Sequence, residues 1–511
     1  MIRYWPGLLV ASLVGALTLG TLGAVAWRAP IWGGLGSEDW GAIRFTLLQA
    51  VMSAVISVAL AVPVARALAR RSFPGKPVLV TLLGASFILP VIVAVLGLLA
   101  IFGRNGLLST ALGWVGLPPV QIYGLHGVVL AHVFFNMPLA TRMILQGWLS
   151  MPAERFRLAA SLGFGSRDTA RLLEWPMLCT VLPGTAMVIF VICATSFAVA
   201  LALGGGPKAT TVELAIYQAF RFDFDLGKAA LLGVVQFAIC AVAAAVMFRV
   251  HVPESTGGGL DRAVARWDVH TPVLRGLDMT WIGFATIFLL LPLGMVLLAG
   301  LPGLVNLPGS VAGAAARSIS VALVSAGLTV LAALSMAVAI QGLRVRRVSK
   351  VIEGIGYLSI AASPLVIGTG MFIVIFPFAN PVALALPVTA LVNVAMSLPF
   401  ALRAIVPALT EVEGRFGHLA DSLSLTGWAR LRWLYLPRLR RPLGFSAGLA
   451  AALSMGDLGV IALFSDPKAA TLPLQLYQLM AAYRMQEAAG VALILLVLSL
   501  AVFWLFDRGG G

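Results

Sequence analysis

Charged residues are scarce in this chain, and their scarcity excludes most soluble folds. Only 11% of the 511 residues are Asp, Glu, Lys or Arg, whereas 60% are hydrophobic, and the mean hydropathy is +0.99. From Ala229 to Phe248 the sequence carries no charge over 20 residues. An α-helix of that length crosses about 30 Å of hydrocarbon. The composition therefore predicts an all-α polytopic membrane protein.

Cysteine pairs and phosphate-binding glycine loops are also lacking. The 3 cysteines stand in no CxxC spacing, which argues against a disulfide framework and against a cysteine metal site. The Gly-Lys pairs at 75–76 and 227–228 do not follow the glycine loop of an ATP-binding P-loop. The apolar segments hold no paired set of catalytic groups. We therefore expect no enzymatic activity and no metal on this chain.

The net charge of +15 indicates membrane topology and not a nucleic-acid partner. Basic residues form no groove between aromatics but sort by loop. If the N-terminus is placed inside, the outer loops hold only Arg28, Arg44, Arg104, Lys208, Arg221, Lys228, Arg317, Lys468 and Arg484. Because translocation of Lys and Arg is disfavoured near membrane segments, this asymmetry predicts that both termini are cytoplasmic.

Twelve segments are apolar enough to span a bilayer, six in each half of the chain. The first six are 7–27, 46–65, 78–102, 124–141, 181–203 and 229–248. The second six are 280–300, 318–341, 351–377, 382–402, 442–465 and 487–506. An even number of segments per half makes the halves a parallel repeat about an axis along the bilayer normal, with a pathway between them.

The sequence itself is duplicated. Arg157–Pro176 recurs 261 residues later as His418–Pro437, and Gly206–Gln218 recurs 260 residues later as Asp466–Gln478. The pair Pro138 and Arg142 likewise recurs as Pro399 and Arg403. This divides the chain into a first half at 1–250, a Gly-rich cytoplasmic linker at 251–275 and a second half at 276–511.

Each half contains a basic loop, at 150–178 and 411–440. In the first loop we predict a helix that Gly163 and Gly165 break, then a second helix that Ser166 caps and that ends at Pro176. The second loop has Ser424, Thr426 and Gly427 at the break and Pro437 at the end. Such a bent helix pair outside the membrane would present a short helix to a partner.

These loops resemble the EAA motif of permease subunits in binding-protein-dependent ABC importers, in which the bent helix couples the permease to its ATPase. Ala159, Gly163 and Pro176 match the motif, whereas Arg157 and His418 replace its glutamate in the two copies and Ser424 replaces its glycine in the second copy. The resemblance implies that ATPase coupling involves Arg157, Ala159, Gly163, Arg167, Pro176, His418, Ala420, Ser424, Arg430 and Pro437.

The resemblance extends over nearly the whole chain to the thiamine and thiamine pyrophosphate permeases of bacterial importers. It is carried by Arg44–Gly75, Gly124–Arg142, Leu203–Phe220 and Leu453–Phe464. It implies a type I permease fold with MetI-like transmembrane domains in the bacterial inner membrane. It also implies two copies of an ABC ATPase, which bind ATP and Mg, and a periplasmic thiamine-binding protein. The alternatives are a permease for ferric iron or an inorganic anion and, in another class, a proton-coupled secondary carrier.

Several residues are candidates for the pathway or its gate. Asp457 stands alone in an uncharged segment, where a carboxylate either meets a cationic substrate or bonds to a broken helix. Its counterpart at the 260-residue spacing is Phe197. Asn136 and Ser397 precede mid-membrane prolines, which favours support of a kink over substrate contact. Short outer helices should begin at Thr211 and Thr471 and present Tyr217 and Tyr477, either as a gate or as interface anchors.

Overall fold

The chain is an all-α protein of long, mostly apolar helices. A computed structural model describes residues 4–29, 34–249, 271–343, 345–359, 361–464 and 469–510, and every regular element in those ranges is helical. Eleven of the helical segments are long and apolar enough to cross a membrane. Backbone hydrogen bonds inside hydrocarbon must be satisfied within the segment, which a helix does. The predicted multi-pass membrane architecture is confirmed.

The first half consists of twelve helices. They are α1 (Trp5–Arg28), α2 (Ser37–Arg70), α3 (Lys76–Ala85), α4 (Val91–Phe102), α5 (Leu107–Trp114), α6 (Leu125–Leu149), α7 (Ala153–Ser161), α8 (Ser166–Thr169), α9 (Trp175–Ala194), α10 (Ala198–Leu203), α11 (Val212–Arg221) and α12 (Leu226–Arg249). A π-helical turn at Ala170–Glu174 joins α8 to α9.

The second half adds eleven. They are α13 (Pro272–Gly303), α14 (Ser310–Gly342), α15 (Arg346–Leu358), α16 (Pro364–Ile375), α17 (Ala385–Ser422), α18 (Gly427–Arg430), α19 (Leu436–Arg438), α20 (Arg440–Met455), α21 (Gly459–Phe464), α22 (Leu472–Ala481) and α23 (Met485–Gly510). The predicted linker at 251–275 lies outside the described residues up to 270, and α13 begins at Pro272, within its last residues.

Some predicted spans are interrupted. The segment 351–377 is not one helix but two, because the Ser363 hydroxyl accepts a hydrogen bond from Val366 N and Pro364 then starts α16. The resulting apolar helix has 12 residues, about 18 Å, so by itself it covers only part of the hydrocarbon core at this crossing. The segment 78–102 is likewise divided before α4, at Pro90.

The two halves are not separate bodies, because each contributes its first helix to the other. Helix α1 packs on α14, α15 and α16 of the second half, and α13 packs on α2, α4 and α6 of the first. The Phe134 ring of α6 meets the Phe288 ring of α13 with a centroid distance of 5.8 Å. Arg71 at the end of α2 pairs with Asp278 of α13 at 2.7 Å. This exchange joins the halves around the midline and fixes their relative position.

Candidate coupling loops and transmembrane pathway

The first basic loop has a helix that ends at a glycine. The Phe164 N–H donates to the Ala159 carbonyl at 3.0 Å, and Gly163 adopts a φ of +69°. This is the left-handed end of a helix, where glycine avoids the strain of a side chain. Ala159 is buried under the turn. The predicted break is confirmed, and Ala159 and Gly163 form it.

The second loop repeats this break with a different residue. The Leu425 N–H donates to the Ala420 carbonyl at 2.9 Å, and Ser424 adopts a φ of +51°. Ser424 therefore occupies the left-handed position of Gly163, 261 residues away. However, the preceding helix is no separate element, because it is the end of the 38-residue α17. The predicted loop at 411–440 thus begins inside a transmembrane helix.

Neither proline ends a helix, which corrects the prediction for Pro176 and Pro437. Each lies at the second position of a helix that a π-helical turn precedes, at Ala170–Glu174 and Leu431–Tyr435. In these turns Trp175 N bonds Ala170 O, five residues back instead of four. The wider turn gives the proline ring room that a regular α-helix lacks.

An exposed pair of leucines lies on each loop helix. Leu158 and Leu162 project from α7, and Leu419 and Leu423 occupy the same places at the end of α17; each side chain is between 58% and 62% exposed. Residues four apart lie on one helix face. Each pair forms an exposed apolar ridge, hereafter the leucine ridge. We did not single out these leucines from the sequence, although their i, i+4 spacing recurs at 261 residues.

The predicted basic residues flank the ridges. Arg157 and His418 are exposed next to the first leucine of each pair, and Arg167 is exposed just after the first break. Their coupling role remains a prediction. Arg430 differs from them, since its side chain is only 14% exposed.

The first loop is held by the neighbouring helix α2. Glu174 is buried in the π-helical turn, and its carboxylate forms ion pairs with Arg66 at 2.7 Å and with Arg70 at 3.8 Å. Arg70 also donates to the Ser166 hydroxyl at 3.3 Å. Charge-assisted hydrogen bonds of this kind are stronger than neutral ones. Movement of the first loop is therefore tied to α2.

The second loop is held by its own residues. Arg430 pairs with Glu413 at 2.6 Å and with Asp421 at 2.6 Å. The Tyr435 hydroxyl donates to the Glu413 carboxylate, and burial together with that carboxylate raises the pKa of Tyr435. Tyr435 stands where the first loop has Glu174, so the two loops are anchored differently.

The outer segments begin where predicted. The Thr211 hydroxyl accepts a hydrogen bond from Leu214 N at 3.3 Å and caps α11, and Thr471 holds the same place before α22. Two hydroxyls in the preceding long helices bind the first residues of these helices in the same way. Thr46 Oγ1 accepts from Val212 N, and Ser318 Oγ from Leu472 N, each at 2.9 Å. The duplication therefore includes the hydrogen bond that fixes the start of each outer helix to a long helix of the same half.

Aromatic rings of the outer segments pack against each other and against the other half. The Tyr217 ring lies 5.1 Å from the Phe197 ring, and Phe220 of α11 lies 4.6 Å from Phe372 of α16, in the other half. Burial raises the pKa of the Tyr477 hydroxyl, and the nearby Tyr217 raises it further. The contact between Phe220 and Phe372 joins the outer segment of the first half to the second half, and a gate role for Tyr217 and Tyr477 stays a prediction.

The helix break between α20 and α21 contains Asp457. Its Oδ1 accepts hydrogen bonds from Gly459 N at 3.1 Å and Val460 N at 3.4 Å, which caps α21, while Oδ2 is buried without a hydrogen-bond partner. The first half breaks at the matching place, between α9 and α10. The matched residue there is Ser196 and not Phe197, because Ser196 follows the turn as Asp457 does. A structural role for one oxygen is shown; a substrate role stays a prediction.

Asn136 connects two helices. Its amide donates to the His132 carbonyl at 2.9 Å and to Cys193 Sγ at 3.3 Å, which joins α6 to α9. The carbonyl that Pro138 leaves without its usual donor belongs to Phe134, so kink support by Asn136 is wrong. Cys193 has its counterpart in Ser454, which accepts from the Asn393 amide at 3.0 Å.

The second proline is supported by a residue from another helix. Pro399 frees the Ala395 carbonyl, and the Ser359 hydroxyl donates to it at 2.6 Å. Ser397 therefore does not have the predicted role. In this half the kink ties α17 to the end of α15.

Two fused halves with matching outer helices, helix breaks and exposed loop helices are the features of a membrane transport permease. Comparison with known proteins gives the particular kind. The thiamine transport system permease protein ThiP of Brucella abortus (strain 2308) is 38% identical over 515 residues, which cover 98% of this chain and 94% of that protein. The corresponding protein of Escherichia coli (strain K12) is 37% identical over 98% of this chain and 96% of its own length. The chain belongs to the thiamine transport system permease family.

Two further comparisons show how specific the similarity to thiamine permeases is. A sulfate transport system permease protein, CysW of Synechococcus elongatus, is 28% identical over 35% of this chain and 63% of that protein. No family model matches the chain. The similarity to thiamine permeases is thus both higher and longer than that to the sulfate permease.

Proposed function

We propose that this chain is the membrane subunit of an ATP-driven importer for thiamine and its phosphate esters. The full-length similarity to thiamine permeases carries this proposal. The sulfate permease covers about a third of the chain and gives the anion alternative less support. Substrate would pass between the halves by alternating access, through the gate that Tyr217 and Tyr477 close.

Two copies of an ABC ATPase would dock on the two leucine ridges. The ridges support this because each is apolar, exposed and repeated once per half. ATP and Mg would bind to those subunits. A periplasmic thiamine-binding protein would deliver substrate to the outer helices α11 and α22.

The chain would lie in the bacterial inner membrane with both termini in the cytoplasm, as the distribution of basic residues suggests. A cysteine replacing Leu162 should then be protected from an impermeant thiol reagent in intact cells. One replacing Tyr483, which is exposed near the outer helices, should react. The background would carry Cys179→Ser, since Cys179 is the exposed native cysteine. The reverse labelling pattern would overturn this orientation.

Reconstitution tests the function directly. Proteoliposomes containing this chain, its ATPase and the thiamine-binding protein should accumulate radiolabelled thiamine only when ATP is supplied on the ATPase side. An uncoupler that collapses the proton gradient should leave import unchanged. Import driven by a proton gradient without ATP would instead establish the secondary-carrier alternative.

A further inference from the structure

Glu213 is a buried carboxylate that the closed gate leaves without a partner. It lies in the first turn of α11, its residue exposure is 0%, and neither oxygen has a hydrogen-bond partner among the described residues. The matching residue of the second half is Pro473. Glu213 is therefore a feature of one gate helix and not of the duplicated scaffold.

The surroundings of Glu213 come from both halves. The Ser363 hydroxyl at the start of α16 lies close to it, although outside hydrogen-bond geometry, and the Cys240 thiol lies on α12. The helices packed against α11 from the second half, α16 and α21, contain no charged residue. Burial raises the pKa of the Glu213 carboxyl to about 8, so the closed gate holds it mainly protonated at neutral pH.

Glu213 and Asp457 lie on either side of one junction. Leu365, two residues after Ser363, packs directly against Gly459, whose N–H binds Asp457. Glu213 and the Gly459 amide that binds Asp457 therefore both lie beside the first residues of α16, and the two carboxylates come from opposite halves. A buried carboxylate with no cation beside it is costly, which makes it a candidate for a functional role.

We infer that Glu213 is a second carboxylate of the substrate pathway, which acts with Asp457 on the cationic ring of the substrate once α11 moves away from α16. Opening of the gate admits water and restores the charge of Glu213. Closure buries the carboxylate again and weakens its hold on the cation, which favours passage inward. This inference rests on the proposed function, since thiamine carries a quaternary thiazolium nitrogen.

The test compares thiamine with its neutral thiophene isostere, in which carbon replaces the thiazolium nitrogen. Import of each is measured in the reconstituted system from preloaded binding protein, for the wild type and for Glu213→Gln. The variant should lose about tenfold of the preference for thiamine over the isostere, the order expected for one charge interaction at a partly hydrated site. Glu213→Asp should retain the preference. Asp223→Asn, an exposed carboxylate just beyond α11, is the matched control and should leave it unchanged.

Other outcomes reject the inference in different ways. Equal loss of both substrates in Glu213→Gln would make the residue a structural part of the gate. An unchanged ratio would remove it from the pathway, and failure of this isosteric variant to accumulate would show that the carboxylate holds the fold. If the wild type imports no thiamine at all, the proposed function fails before the variant is considered.

Discussion

The two coupling loops share a surface but not an anchor. Both present a leucine ridge and then a left-handed residue, at Gly163 and Ser424. The first loop is a separate helix that Arg66 and Arg70 of α2 hold through Glu174, whereas the second extends α17 and is held internally. The two loops therefore share the exposed surface that a partner would contact, whereas the ion pairs that hold each loop in place differ.

This difference gives each half its own route for movement. A push on the first loop acts through ion pairs on α2, which packs on α6 and on α13 of the other half. A push on the second loop acts directly along α17 as far as Asn393, whose amide binds Ser454 near the break that contains Asp457. The second half would therefore transmit movement through the backbone of one helix, which is kinked at Pro399, whereas the first half relies on ion pairs.

The largest expected effect is loss of docking. The double variant Leu158→Asp with Leu162→Asp should weaken ATPase binding by about 4 kcal/mol, roughly a thousandfold, because two exposed leucines would lose their apolar pocket. Leu419→Asp with Leu423→Asp should do the same, since the ridges are alike. Binding of purified ATPase to the detergent-solubilised permease measures this.

Two controls make the leucine experiment specific. Leu→Met at the same positions keeps an apolar side chain of similar volume and should retain binding. The thermal unfolding of all variants should match that of the wild type, because the leucines are exposed. Normal binding by either Asp pair would mean that the corresponding ridge is no docking surface.

The sequence predicts the elements that occur in both halves and the residues that start or end helices. The loop breaks and the starts of α11 and α22 follow from Gly163, Thr211 and the fixed spacing of their copies. The break after Met455 has a local signal in Gly456, Asp457 and Gly459, whereas the break after Ala194 has only Thr195 and Ser196 in an apolar run, so tertiary packing decides it. The exchange of α1 and α13 likewise depends on which apolar faces meet, which composition does not reveal.

Side-chain partners were predictable only where the repeat marked them. Arg430 and Arg167 look equivalent as basic loop residues, yet only Arg430 meets carboxylates, 9 and 17 residues away in the chain. Glu213 has no counterpart in the repeat and was missed. The sequence signal that could have identified Glu213 is that it is the single acidic residue in the apolar helix that follows the glycine-rich stop.

An intermediate effect separates the two arginines. Arg430→Glu would place a third negative charge beside Glu413 and Asp421 and should destabilise the protein by about 2 kcal/mol, less than for a fully buried pair because Asp421 is exposed. Arg167→Glu should change stability by no more than about 0.5 kcal/mol. Thermal unfolding in detergent measures both. Equal destabilisation would show that the anchors are not different.

The smallest effect is expected when the residues at the left-handed positions of the two loops are exchanged. Gly163→Ser should destabilise the first loop by about 1 kcal/mol, because a side chain at positive φ is strained even though nothing lies within 4 Å of the position. Ser424→Gly should relieve similar strain, offset by the greater freedom of glycine in the unfolded chain, and stabilise by a few tenths of that amount. Hydrogen exchange of the Phe164 and Leu425 amides reports each turn separately. Opposite changes in protection support a shared backbone geometry, whereas changes of the same sign would show that the two turns differ, as their anchors do.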